Sequence, residues 1–181
     1  MKLTNGLINS AKLLASSHCD NRPDNSEVSL LVIHCICLPP REFGHNFVEQ
    51  LFLGQLDYSA HPYFEKLKKS RVSAHCYIKR DGELIQFVSF DRRAWHAGES
   101  EFNGIRNCND FSIGIELEGC EDINYTDRQY QKLTLVTKLI QAEYPKITNN
   151  NITGHQNISP DRKSDPGQAF DWDKFYALIS S

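Results

Sequence analysis

Three residues that can do chemistry fall within one short segment: His155, Lys163 and Asp165, in the stretch I-T-G-H-Q-N-I-S-P-D-R-K-S-D-P-G from Ile152 to Gly167. An imidazole and a carboxylate are ligands for a divalent metal. Lys163 and Asp165 stand at i and i+2, so an extended backbone turns them to the same side. Gly154, Pro160, Pro166 and Gly167 are poor helix or strand residues, and the stretch reads as a shaped loop. Such a loop holds reactive groups at small entropic cost. Taken alone, these residues suit a solvated loop with an ordinary surface ion pair better. Two residues elsewhere change the balance. His34 ends an apolar run, and Glu116 sits inside another. Two imidazoles and a carboxylate, with a fourth position open, make a catalytic zinc arrangement. The H-E-x-x-H helix of common zinc proteases is absent.

The elements that must position these groups can be read from periodicity. Residues 28–34 form an apolar run with the pattern of a buried strand, so His34 stands at its C-terminal edge, a usual site position in an α/β sheet. Pro39 and Pro40 end any regular structure there. Residues 46–56 suit a short amphipathic helix, and 62–69 a second one with Pro62 in its first turn. Residues 72–79 alternate, Val72, Ala74, Cys76 and Ile78 against Ser73, His75, Tyr77 and Lys79. Asp81-Gly82 then joins them to a strand over 84–90 as a hairpin. Trp95 to Gly98 is a loop. In 111–118, Phe111, Ile113, Ile115 and Leu117 share one face, while Ser112, Gly114, Glu116 and Glu118 share the other. A carboxylate beside a glycine there suggests a cleft with close backbone approach; the alternative is a solvent-exposed sheet face. Thr126 and Gln129 form a capping box that opens a helix to about residue 143, before Pro145. Asp171 caps a last helix with Trp172, Phe175 and Ile179 inward.

The chain has 181 residues, 24% of them charged, and a net charge of −3, which suits one soluble domain. With no broad positive excess, nucleic acid and anionic membrane are not expected partners. No apolar run is long enough to span a bilayer. Leu13 to Cys19 faintly resembles a secretory or lipoprotein signal, but Asn5, Asn9, Ser10 and Lys12 interrupt its core, so the expected location is cytoplasmic. The six cysteines are then expected as free thiols. Strands and helices mix without strict alternation. We expect an α/β fold, a mixed sheet flanked by helices, as one domain over 1–181, with roughly the first 20 residues peripheral.

Five stretches carry a resemblance: S-L-L-V-I-H-C-I-C-L-P-P-R-E-F-G, R-V-S-A-H-C-Y-I-K-R-D-G-E-L-I-Q-F-V, R-A-W-H-A-G, C-N-D-F-S-I-G-I-E-L-E-G and I-T-G-H-Q-N-I-S-P-D-R-K-S-D-P-G-Q-A-F-D-W. In this order they resemble the AmpD-type 1,6-anhydro-N-acetylmuramoyl-L-alanine amidases. These belong to a zinc amidase family shared with phage lysozymes and peptidoglycan recognition proteins. The resemblance implies one zinc ion on His34, His155 and Asp165, with Glu116 and Lys163 as the catalytic pair. It implies a small-molecule substrate, an anhydromuropeptide from wall turnover, cut between the lactyl group and L-alanine, and no obligate protein partner. Arg71 would meet the peptide's carboxylates, and Trp95 would border the sugar. Two positions depart from the pattern: Cys35 stands where relatives commonly carry a substrate-contacting asparagine, and Asn107 where they carry arginine. His96 is a further candidate for substrate contact, and His75 for the cleft lining. Two rival readings remain: a module that binds wall fragments without cutting them, and an amidase acting on intact peptidoglycan.

Overall fold

The apolar run after Val28 becomes a strand, Leu30–Ile36, buried through His34, and the sheet is built around it and its neighbour Ser112–Glu118. The computed structural model describes all 181 residues. In chain order the strands of this sheet are β1 (Lys12–Leu13), β2 (Leu30–Ile36), β3 (Cys76–Ile78), β4 (Leu84–Gln86), β5 (Ser112–Glu118) and β6 (Ile152–Gly154). Their spatial order is β6-β2-β5-β3-β4-β1. The run from β6 to β3 is parallel, β4 is antiparallel to β3, and β1 is parallel to β4. The sheet is mixed, as expected. Its helices are α1 (Phe47–Leu53), α2 (Asp127–Glu143), the single turn α3 (His155–Ile158) and α4 (Trp172–Ser180).

Parallel strands covered on both faces are buried throughout, and all seven residues of β5 are. Ile113, Ile115 and Leu117 pack with Leu31 and Ile33 against Leu133, Val136 and Ile140 of α2 and Phe175 of α4. A second cluster joins Val48, Leu51 and Phe52 of α1 to Tyr77, Ile85 and Phe87. The face carrying Ser112, Gly114, Glu116 and Glu118 is buried too, so it is not a solvated sheet face. The predicted capping box is present: the Gln129 amide donates to Thr126 Oγ1 (3.2 Å), and the Thr126 amide donates to the Gln129 side chain (3.1 Å). Asp171 caps α4 by accepting from the Lys174 amide (2.9 Å).

Four expectations need correction. The helix expected over 46–56 is shorter, because Gly54 adopts a left-handed conformation (φ 70°) and ends it at Leu53. Residues 62–67 form a 3-10 helix. The strands expected over 72–79 and 84–90 shrink to Cys76–Ile78 and Leu84–Gln86. Ahead of β3 the Ser73 amide donates to Trp95 O (3.2 Å), outside the sheet, and Ala74 packs in the α1 cluster while Cys76 and Ile78 pack under α2. Finally, the segment from Ile152 is not all loop: Ile152–Gly154 is the edge strand β6 and His155–Ile158 a helical turn, leaving residues 159–167 irregular. Pairing with β2 outweighs the poor strand propensity of Gly154.

The N-terminal segment is tied to the sheet. The buried Gln86 side chain accepts from the Ile8 amide (2.8 Å) and donates to Gly6 O (2.8 Å), and β1 extends the sheet edge. The six cysteines are free. No helix is long and apolar enough to cross a membrane.

Candidate metal centre and catalytic cleft

Parallel pairing explains how residues distant in sequence meet. β5 and β6 flank β2, with Glu116 opposite His34 and Gly154 opposite Ile33. The C-terminal ends of all three strands open at one edge, the usual ligand-binding edge of such a sheet. His155 follows β6 directly, beside His34. The chain then turns back. The Gln156 amide donates to Asp165 O (2.9 Å), and Tyr125 Oη donates to Pro166 O (2.8 Å), which brings the Asp165 side chain onto both rings. Gly154 permits this return, since a Cβ there would lie 2.7 Å from Pro166 Cδ.

The three side chains converge. His34 Nδ1 lies 3.0 Å from His155 Nδ1 and 3.0 Å from Asp165 Oδ2, and His155 Nδ1 is 3.2 Å from the same oxygen. All three residues are buried. Burial pushes the His34 imidazole down to about 4, so the ring is neutral near pH 7. Burial alone would raise the Asp165 carboxyl, but its contacts with His155 and His34 outweigh this and hold it well below the usual carboxylate range. His155 Nε2 lies 2.9 Å from Ala97 O, which only accepts. The ring hydrogen is therefore on Nε2, and Nδ1 turns its lone pair toward the other two residues. Arg162 fixes that carbonyl by donating to it (2.6 Å) and to Glu99 O (2.8 Å).

A cleft of about 1020 Å³ opens over this group, lined by Cys35, Glu116, His155, Lys163 and Asp165 among others. Glu116 is buried and its Oε2 has no hydrogen-bond partner. Burial raises its carboxyl well above the ordinary range, the negative Asp165 adds to this, and the positive Lys163 pulls it back. Lys163 is exposed and forms no ion pair. The four other candidates are scattered. Cys35 lines the cleft. Arg71 is exposed, between the lining residues Ser70 and Val72. Trp95 donates from its indole to Asp20 (3.2 Å) and stacks on His18, with centroids 6.1 Å apart. Asn107 lies outside this cleft, in a smaller groove with Arg106 and Arg162. Its left-handed backbone (φ 62°) is one that asparagine tolerates better than arginine. His75 does not line the cleft. It lies inside the sheet, where its Nδ1 accepts from the Gly114 amide (3.0 Å).

Residues 24–168 match the N-acetylmuramoyl-L-alanine amidase family. The chain belongs to that family. It is an enzyme, an amidase that hydrolyses the bond between the lactyl group of N-acetylmuramic acid and L-alanine. The 1,6-anhydro-N-acetylmuramyl-L-alanine amidase AmpD of Salmonella typhimurium is 55% identical over 175 residues, 97% of this chain and 93% of that one. A crystal structure of a selenomethionine AmpD derivative superposes with a TM-score of 0.97 at 54% identity, covering 99% of each chain. More distant is the Escherichia coli amidase AmiD in complex with the substrate anhydro-N-acetylmuramic acid-L-Ala-D-gamma-Glu-L-Lys. It has a TM-score of 0.61 at 26% identity and covers 87% of this chain and 60% of that one. The amidase's sheet and flanking helices are those of the solved relatives.

Sequence reading did not find three supports of the site: the Ala97 carbonyl, Arg162, and the contact of His96 with Ser112. A backbone carbonyl leaves no trace in residue type. Ser112 did leave one, since it shares the row Ser112, Gly114, Glu116 along β5.

Proposed function

We propose that the amidase acts on 1,6-anhydromuropeptides through one zinc ion held by His34, His155 and Asp165, with Glu116 and Lys163 as its catalytic pair. The observation that carries this reading is the convergence of the three donors. A tetrahedral ion with bonds of about 2.0–2.1 Å needs ligand atoms roughly 3.3 Å apart. The separations here are 3.0, 3.0 and 3.2 Å. A neutral imidazole, a second imidazole with its lone pair turned inward and an ionised carboxylate are donors suited to zinc, and the fit is good.

Zinc bound there would supply a Lewis acid that acidifies water and polarises the amide carbonyl. Glu116 takes the proton from the attacking water and returns it to the leaving alanine nitrogen. Burial and Lys163 act on it in opposite directions, which suits a group that must accept and then donate. Lys163 offers its charge to the carbonyl oxygen as that oxygen becomes anionic. Cys35, at the cleft wall, Arg71, between two lining residues, and Trp95, next in sequence to the lining residue His96, are proposed substrate contacts, Arg71 for the peptide's carboxylates. The anhydro preference rests on the substrate named for the relatives above. The cytoplasm is the proposed compartment, and reduced thiols are the state proposed there for the six cysteines.

The test compares an anhydromuropeptide with the matched reducing-sugar muropeptide by mass spectrometry, using zinc-loaded enzyme with a chelator control. Chelator-sensitive release of peptide, mainly from the anhydro form, is expected. Equal release from both would overturn the anhydro preference. No release from either by the zinc-loaded protein would point to a binding module.

A further inference from the structure

His34 can offer Nδ1 to a metal only when its ring hydrogen sits on Nε2, and residue type does not decide this. We propose that Ser112 and His96 form a relay that sets the tautomer of His34, with His96 as a positioning residue for metal binding. The proposal rests on the zinc reading above. The relay begins at a backbone carbonyl. Ser112 Oγ donates to Cys108 O (2.5 Å), which commits its only hydrogen. His96 Nε2 lies 3.2 Å from the same Oγ and therefore donates to it. The His96 hydrogen is thus on Nε2, and Nδ1 carries a lone pair. His34 Nε2 lies 2.9 Å from that Nδ1 and donates to it. The His34 hydrogen is spent on His96, and its Nδ1 lone pair faces His155 and Asp165. Three hydrogen bonds carry one piece of information from a carbonyl to a ligand atom.

A second observation supports the relay independently. The His96 ring lies directly on the backbone of β5: a Cβ on Gly114 would come within 2.4 Å of His96 Cγ. The row along β5 therefore has three functions, with Ser112 as the anchor, Gly114 as the space for the ring and Glu116 as the carboxylate. The segment is held from beneath by Asn109, whose Oδ1 accepts from the amides of His96 (3.1 Å) and Ala97 (2.8 Å). Since Ala97 O fixes the His155 tautomer, residues 96 and 97 orient both histidine ligands.

Zinc affinity, measured by competition with a chromogenic chelator, tests this without reference to turnover. The variants are His96→Leu, His96→Asn and Ser112→Ala, each checked for folding by circular dichroism. Loss of an outer-shell partner typically costs about 10–100-fold in metal affinity, and His96→Leu should lose that much. His96→Asn puts an amide oxygen near the Nδ1 position and should recover most of the affinity. Ser112→Ala should lose less, in the same direction. Wild-type affinity in a folded His96→Leu, or equal losses in the Leu and Asn variants, would overturn the relay. If His96→Leu does not fold, Ser112→Ala decides, and unchanged affinity there overturns it. Nitrogen NMR of the zinc-loaded wild type gives a direct reading: His96 protonated at Nδ1 rather than Nε2 would also overturn it. A wild type that takes up no zinc refutes the metal reading itself, whereas normal uptake with indifferent variants refutes the relay alone.

Discussion

At the scale of single residues, the proposed site separates metal binding from proton transfer. Lys163 touches neither ring, so Lys163→Ala should keep zinc and lose about a hundred- to a thousandfold in kcat, the usual cost of one oxyanion donor. Metal loss in that variant would make the lysine structural. The same substitution carries a pH signature. Lys163 holds the Glu116 carboxyl down against burial, so removing it raises the Glu116 pKa further. Glu116 must be ionised to accept a proton, and the acid limb of the kcat profile should move to higher pH. An unmoved limb would break the pairing of these two residues. His34→Ala removes one of three donors, and zinc measured on the purified variant should be absent or weakly held. Retention at wild-type affinity would sink the assignment.

At the scale of elements, the return from β6 is the critical connection. Gly154→Ala sets a Cβ against Pro166, and overpacking of this kind costs about 1–3 kcal/mol. Thermal unfolding should report that loss, and zinc affinity should fall with it because Asp165 directly precedes Pro166 and is displaced with it. Thr126→Ala is the contrast. It removes the cap of α2 at a cost of about 1 kcal/mol, with kcat unchanged, since neither Thr126 nor Gln129 lines the cleft. Elements with a strong local signature were legible in the sequence. The α2 cap and the β5 alternation are of this kind, and the structure keeps both. The alternation over 72–79 was equally plain, yet only three residues form a strand, because the Ser73 amide is bound by Trp95 O instead. Periodicity reports which residues prefer burial but not which backbone they pair with.

At the scale of the whole molecule, buried neutral histidines make stability depend on pH. Burial pushes His75 to about 3 and His34 to about 4. An unfolded histidine titrates near 6.5. As pH falls below that value, the unfolded chain takes up protons that the folded chain refuses, so stability drops with acid. The loss approaches about 1.4 kcal/mol per pH unit for each such group. It continues to about pH 4 for His34 and about pH 3 for His75. Glu116 opposes one such ring, since burial raises its carboxyl and the folded chain takes up that proton first. With His96 also lowered by burial, three rings stand against one carboxyl, so the Tm of the metal-free protein should fall between pH 7 and 5, and a flat profile would contradict the burial of these rings.

The residue types and their order carried the chemistry proposed for this protein: two imidazoles and a carboxylate suited to a metal, a glutamate and a lysine proposed as the catalytic pair, and a strand end to carry His34. They also determined the class of fold, because buried strands and capped helices leave local patterns. Only the tertiary structure decided how the donors are aimed. The parallel pairing of β2, β5 and β6 sets His34, Glu116 and His155 at one edge. The Ala97 carbonyl fixes the His155 tautomer, and the contacts from Ser112 through His96 fix that of His34. The physical reason is that a tautomer depends on what lies within hydrogen-bond reach, and in this chain those partners come from distant segments, one of them a backbone carbonyl that every residue type shares.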